Sequence, residues 1–156
     1  MNKKLIITCI FTVALTIFSS CNRKTIYNYY QHTDAEDWTT GDTLLYNNIT
    51  PIADEGNYSR VLSLRYTHEY PFANISLIVK QEVWPAGLVT EDTINCRLHK
   101  TEDDELTGVA YLNNEFPLPD VHHSEGDSLC IKIYHNMRRE SLQGISDIGI
   151  RIEKRF

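Results

Sequence analysis

From Thr43 onward, apolar and polar residues alternate with a period of two, the spacing that sends every second side chain of a strand to the same face. Leu44–Ile49 is a short strand of this kind. In Asn57–His68, Leu62, Leu64 and Tyr66 share one face, and Val61, Ser63, Arg65 and Thr67 take the other. Asn74–Trp84 sets Ile75, Leu77 and Val79 against Ser76, Lys80 and Glu82. Thr93–Lys100, Leu106–Leu112 and Ser128–Tyr134 read as further strands, and Ile145–Glu153 closes the series with Ile148, Ile150 and Ile152 inward. Breaks fall at Glu69–Ala73 around Pro71, at Pro85-Ala86-Gly87 and at the acidic Thr101–Glu105. Asn113–Asp127, with Pro117, Pro119 and Gly126, reads as a long loop. Met137–Gln143, stopped by Gly144, leaves room for at most one short helical turn. The pattern predicts an all-β fold, an antiparallel β-sandwich of seven to eight short strands. A jelly-roll arrangement fits the same pattern, and strand order is not readable from it.

The first residues obey a different rule. Lys3 and Lys4 lead an apolar run, Leu5 to Phe18, which ends at Ser19-Ser20-Cys21. The run is shorter than the roughly 20 apolar residues a helix needs to cross a bilayer, and positive charge before it with small residues after it mark a secretory signal. With the cysteine, it resembles a bacterial lipoprotein signal, in which Cys21 carries lipid and becomes the first residue. The expected organisation is a signal over 1–20, a lipidated tether over 21–31 and a single sandwich domain over 32–156.

Removing residues 1–20 from the 156 leaves 136, enough for one domain with a real core. The 15 basic residues less Lys3 and Lys4 leave 13 against 21 acidic ones, a net charge of −8. Such a domain repels phosphate backbones, so nucleic acid is not an expected partner. It also lacks a basic patch for anionic lipid, which leaves attachment to acyl chains on Cys21. Cys96 falls in phase with Ile94 and Leu98 and points inward, whereas Cys130 falls with Lys132 and points outward. Opposite faces argue against a bridge between them.

Candidate chemistry is sparse. No nucleophile elbow, HExxH or glycine-rich phosphate loop occurs, and no enzyme activity or cofactor is expected. His122 and His123, with Asp120, Glu125 and Asp127, read as a solvated loop, because adjacent histidines in extended chain point apart rather than converge on a metal. Asp103-Asp104-Glu105 lacks the spacing and glycine of a calcium loop and reads as a turn. Trp38 reads as a plug for an open end of the sandwich. Trp38, Trp84, Tyr70 and Phe72 near strand ends also keep open a carbohydrate-binding sandwich as the alternative function. Arg138 and Arg139 precede the final strand, with Asp147 following. Together with Arg65 and Tyr70 they are candidates for a partner-binding corner, and internal ion pairing of these charges is the plainer reading.

Three longer stretches point further. They are Leu64-Arg65-Tyr66-Thr67-His68-Glu69-Tyr70-Pro71-Phe72-Ala73-Asn74-Ile75, then Asn136-Met137-Arg138-Arg139-Glu140-Ser141-Leu142, then Gly144-Ile145-Ser146-Asp147-Ile148-Gly149-Ile150-Arg151. With the lipoprotein signal and Trp38, this set resembles the GldH-type gliding-motility lipoproteins over nearly the whole mature chain. The resemblance implies a lipid-anchored, non-enzymatic subunit of a cell-envelope complex serving gliding motility, the linked outer-membrane secretion machinery, or both. Expected partners are other envelope lipoproteins or subunits of that machinery. Asn22, Arg23 and Lys24 after Cys21, where surface-displayed lipoproteins of such bacteria carry acidic residues, imply the periplasmic side of the outer membrane. Asp42-Thr43-Leu44, Asp92-Thr93-Ile94 and Asp127-Ser128-Leu129 resemble the acceptor triplet of a periplasmic O-glycosylation system. Thr43, Thr93 and Ser128 are therefore candidate glycosylation sites, although each triplet also reads as a turn leading into a strand.

Overall fold

The computed structural model describes residues 24–98 and 111–155. They form β1 (Lys24–His32), β2 (Trp38–Thr39), β3 (Leu44–Tyr46), β4 (Gly56–Tyr66), β5 (Asn74–Trp84), β6 (Leu88–Arg97), β7 (Leu112–His123), β8 (Ser128–His135), β9 (Ser141–Leu142) and β10 (Ile145–Lys154). One sheet has the order β1-β10-β4-β7, the other β3-β8-β5-β6, and β2 pairs with β9 alone. Every pairing is antiparallel. Apart from the β5–β6 hairpin and the β2/β9 pair, successive strands cross between the two sheets, in the order of a jelly roll.

The inward phases meet between the sheets. Leu62, Leu64 and Tyr66 of β4 and Ile148, Ile150 and Ile152 of β10 pack with Ile75, Leu77 and Val79 of β5 and Leu129, Ile131 and Ile133 of β8. Burying each such aliphatic side chain is worth about 1.5–3 kcal/mol relative to exposure. The core also holds buried tyrosines, each of which donates its hydroxyl hydrogen bond to a nearby acceptor. Tyr46 donates to the Ile148 carbonyl (2.7 Å), Tyr58 to Asp54 (2.6 Å), Tyr66 to Asn114 Oδ1 (2.8 Å) and Tyr70 to Asn74 (2.9 Å). Trp38 is 1% exposed, sits edge-on to His135 and donates its indole N–H to the Asp42 carbonyl, so it does plug its end of the sandwich.

The stretch expected as a tether, which also had room for a first strand, is strand from Lys24 on: β1 pairs with β10 along its length and lays Ile26 and Tyr27 against the core. Three other segments differ from the sequence-based expectation. The stretch Asn113–Asp127 is mostly strand β7, which the described residues place at the outside of its sheet. An edge position and a bulge opposite Tyr58–Arg60 are the two settings in which a sheet accepts proline, and β7 supplies both. The strand expected over Thr93–Lys100 starts earlier, at Leu88, straight out of the Pro85–Gly87 turn. Segment 137–143 forms a bend and β9 rather than a helical turn. The expected Thr101–Glu105 turn, with its Asp103-Asp104-Glu105 run, and most of the expected Leu106–Leu112 strand lie outside the described residues.

The pairing register defines two ends. Lys24 opposite Lys154, Gly56 opposite His123, and Trp84 opposite Ser128 share one end. His32 opposite Asp147, Tyr66 opposite Leu112, and Trp38 opposite Leu142 share the other.

Candidate functional site

The Trp38 end carries most of the expected partner-binding residues. A bulge in β10 between Ile145 and Asp147 breaks the alternation and leaves Ser146 and Asp147 both nearly covered. Register then brings Arg65 of β4 opposite Asp147, with His32 of β1 on its other side. His32 Nδ1 meets Asp147 Oδ1. The Ser146 hydroxyl lies 2.9 Å from Asp147 Oδ2 and 3.2 Å from the Arg65 carbonyl. The Arg65 guanidinium stacks 3.9 Å above the Tyr30 ring, within cation–π range. His32, Arg65, Ser146 and Asp147, together with Thr33, Ala35 and Tyr111, line a cleft of about 550 Å³. A cation and a carboxylate side by side in an open cleft suit recognition of polar groups.

The remaining members of that set part company. Arg138 and Arg139 are exposed on the bend before β9, and Arg139 lies 5.6 Å from the Phe72 ring, outside the cleft walls. Tyr70 is fully buried, edge-on to Phe72, so it cannot meet a partner as expected. Burial also pushes its phenol well above the ordinary range. Nearby on β10 but outside that set, Arg151 pairs with Glu115 (3.0 Å) and Glu153 (3.5 Å). Among the four rings weighed for sugar stacking, Trp38 and Tyr70 are buried and Phe72 is half-buried, which leaves Trp84 exposed.

A second polar cluster, invisible to the motif reading, lies between the sheets. Arg60 is 2% exposed yet points into the core. Its guanidinium donates to Gln81 Oε1 (3.1 Å), Asp92 Oδ2 (3.0 Å) and the Pro119 carbonyl (3.1 Å from Nη2, 3.3 Å from Nε). Gln81 Nε2 lies 3.4 Å from His123 Nε2, and His123 Nδ1 lies 3.6 Å from Asp127. The Tyr58 ring packs against His123 at 5.7 Å. Burial lowers the His123 pKa, outweighing the pull of Asp127, so the imidazole is held neutral. The phase of the strands carried this signal: Arg60 falls two residues before Leu62, and Gln81 two after Val79. Each is therefore inward by alternation. The network pins β4, β5, β6 and β7 together; its members are saturated by each other rather than turned toward a ligand.

The histidines do point apart, His123 inward and His122 outward beside Glu55 (3.4 Å), but from a strand rather than the loop expected. Among the described residues, no three His, Cys, Asp or Glu side chains gather to hold a metal. Cys96 is buried and Cys130 half-buried, both free. They pair with Ile75 and Glu82, seven residues apart along β5 and hence roughly 23 Å at strand rise. Burial raises the Cys96 thiol to about 12. Thr43, Thr93 and Ser128 are all exposed, Thr43 ahead of β3, Thr93 within β6 and Ser128 at the start of β8.

Comparison with known proteins places this geometry in a family. A gliding motility lipoprotein GldH homolog of Christiangramia forsetii is 28% identical, over 93% of this chain and 93% of its own. The gliding motility lipoprotein GldH of Flavobacterium johnsoniae is 24% identical, over 94% of this chain and 95% of its own. Among solved structures, a family 35 carbohydrate-binding module from Clostridium thermocellum matches at 12% identity and a TM-score of 0.44, over 83% of this chain and 98% of that one. The GldH lipoprotein description matches residues 25–152, from the second residue of β1 to within two residues of the end of β10, and the chain belongs to the GldH lipoprotein family.

Proposed function

We propose that this protein is a lipid-anchored, non-enzymatic subunit of an envelope complex that serves gliding motility, the linked outer-membrane secretion machinery, or both. The observation that carries the reading is the family match along the entire sandwich. In this reading residues 1–20 are removed and Cys21 bears the lipid. The domain faces the periplasm from the outer membrane. Confinement to one leaflet raises its effective concentration against other membrane-held subunits without any added contact. Arg65 and Asp147 in the cleft, with Arg138 and Arg139 on the neighbouring bend, form the docking corner for another envelope lipoprotein or machinery subunit. Exposure of Thr43, Thr93 and Ser128 fits them as O-glycosylation sites. An intact mass equal to polypeptide plus lipid would remove that part of the reading.

The test is Cys21→Ser in the native host. The variant should fold, leave the membrane fraction and lose function in motility or secretion. Full function from the soluble form would sink the tethering argument. Cross-linking of the native protein, compared with Arg65→Ala and Arg138→Ala, should yield a partner whose recovery falls several-fold in the variants.

A further inference from the structure

We infer that the tip of the β5–β6 hairpin is a second membrane contact, which seats the sandwich end-on upon the bilayer that holds its lipid. This rests on the reading of Cys21 as the lipid-bearing residue. β1 begins at Lys24, three residues beyond Cys21. However those residues are arranged, they span no more than about 10 Å. The end of the sandwich containing Lys24 is thereby held against the membrane, and the Arg65–Asp147 cleft is turned away at the opposite end.

The register puts the hairpin at the held end. Lys24 lies opposite Lys154, which lies opposite Tyr58; two residues on, Gly56 lies opposite His123, and the short turn after His123 delivers Ser128 opposite Trp84. At this tip Trp84, Leu88 and Val89 are 59%, 61% and 56% exposed. Leu88 and Val89 are adjacent on a strand and so point to opposite faces, yet both are bare. Exposure runs without interruption from Trp84 to Glu91, which means that the hairpin projects past the sandwich body. Val83–Thr90 contains no charged residue. A projecting, uncharged tip led by tryptophan has the composition that settles at the boundary of headgroups and acyl chains.

Among the lysine and arginine side chains described at this end, none is left free for anionic lipid. Lys154 is engaged by Asp54 (3.4 Å) and Arg155 by Asp120 (2.8 Å), while Glu55 and Glu125 stand exposed. The contact is therefore apolar and does not require anionic lipid.

Fluorescence tests this directly, since the chain has only two tryptophans and Trp38 is buried. The native acylated protein is reconstituted into phosphatidylcholine vesicles whose acyl chains carry bromine just below the headgroups. The Trp84 share of emission should be quenched and the Trp38 share spared. Trp84→Phe should abolish the quenching and leave the Trp38 emission of a folded protein. The intact mass reports acylation of Cys21 separately. Acylated protein with unquenched emission overturns the inference and leaves the anchor reading standing. Protein without acyl chains overturns both. Trp84 shielded in native membranes but unquenched in vesicles would assign the tip to a protein partner, and that too overturns the inference.

Discussion

At the scale of single residues, two glycines of β10 and its approach are fixed by what lies over them. Gly149 has no unusual backbone angle, but the Tyr30 ring lies flat against it: a Cβ there would stand 2.7 Å from the ring. Arg65 stacks on the same ring, so moving Tyr30 aside also disturbs that contact. Gly149→Ala should cost about 1–3 kcal/mol, the range for overpacking a filled site. Most of that cost should vanish in a Tyr30→Ala background, and a urea-melt double-mutant cycle reads the coupling. Additive losses would show that Tyr30 is not the obstacle. Gly144 is constrained twice. Its φ is +84°, a region L side chains avoid, and a Cβ would stand 2.3 Å from the Tyr70 nitrogen. The obstacle is backbone, held by the hydrogen bond from Tyr70 N–H to the Thr67 carbonyl, and Gly144 is itself held by bonds from its N–H to Ala35 and from Thr67 N–H to its carbonyl. Gly144→Ala should therefore exceed the ~1–3 kcal/mol of a strained backbone conformation alone. Equal losses at Gly144 and Gly149 would contradict this difference in kind.

At the scale of elements, strands with one buried face were legible and strands that break the alternation were not. β5 has the bounds its pattern gave, Asn74–Trp84, and β10 buries the three isoleucines expected. β7 was hidden by Pro117 and Pro119, which read as loop until the pairing with β4 shows an edge strand with a bulge. The start of β6 was hidden because the projecting hairpin has no buried face to produce a period. The cleft was half legible: Arg65 and Asp147 could be named, but their meeting depends on a cross-strand register that no local pattern contains. Tyr70, beside Pro71, read as surface because the turn that buries it is closed by Gly144, far along the chain. The bulge that accommodates Pro119 presents its carbonyl to Arg60, so the missed strand and the missed arginine share a cause. Arg60→Met removes a buried charge partner from Asp92 while keeping most of the volume. Breaking a fully buried pair costs about 3–5 kcal/mol. Asp92 retains 25% exposure, so about 2–3 kcal/mol is expected, whereas Asp92→Asn leaves the fully buried Arg60 charge without its carboxylate and should cost at least as much. A neutral or stabilising Arg60→Met would mean that the network serves specificity of pairing rather than stability.

At the scale of the whole molecule, these buried polar groups set how stability depends on pH. His123 and His135 are 1% and 2% exposed, on separate elements, and burial lowers the pKa of each below the ordinary 6.5. Asp127 for His123, and the Trp38 backbone followed by Asp42 for His135, pull the other way without prevailing. As pH falls through about 6.5, the unfolded chain takes up protons that the folded chain resists, so the unfolded state binds more of them. Stability therefore rises with pH through this window and is lost on acidification. Each histidine contributes up to about 1.4 kcal/mol per pH unit until its folded pKa is passed. Asp42 and Glu82 act lower down. The Thr39 hydroxyl and the Lys132 ammonium hold their pKa values below the usual carboxylate range, and their stabilisation disappears as pH falls through about 4 and below. Acid unfolding should thus show two separated declines. His135→Phe keeps a ring against Trp38 and removes one titrating group, so it should make the slope of unfolding free energy just below pH 6.5 shallower and leave the lower decline in place. Urea melts at half-unit intervals from pH 7.5 to 3.5 check this. A wild-type protein equally stable at pH 7 and pH 5 would overturn this account, since it would mean that both imidazoles titrate in the folded state as they do in the unfolded chain despite their burial between the sheets.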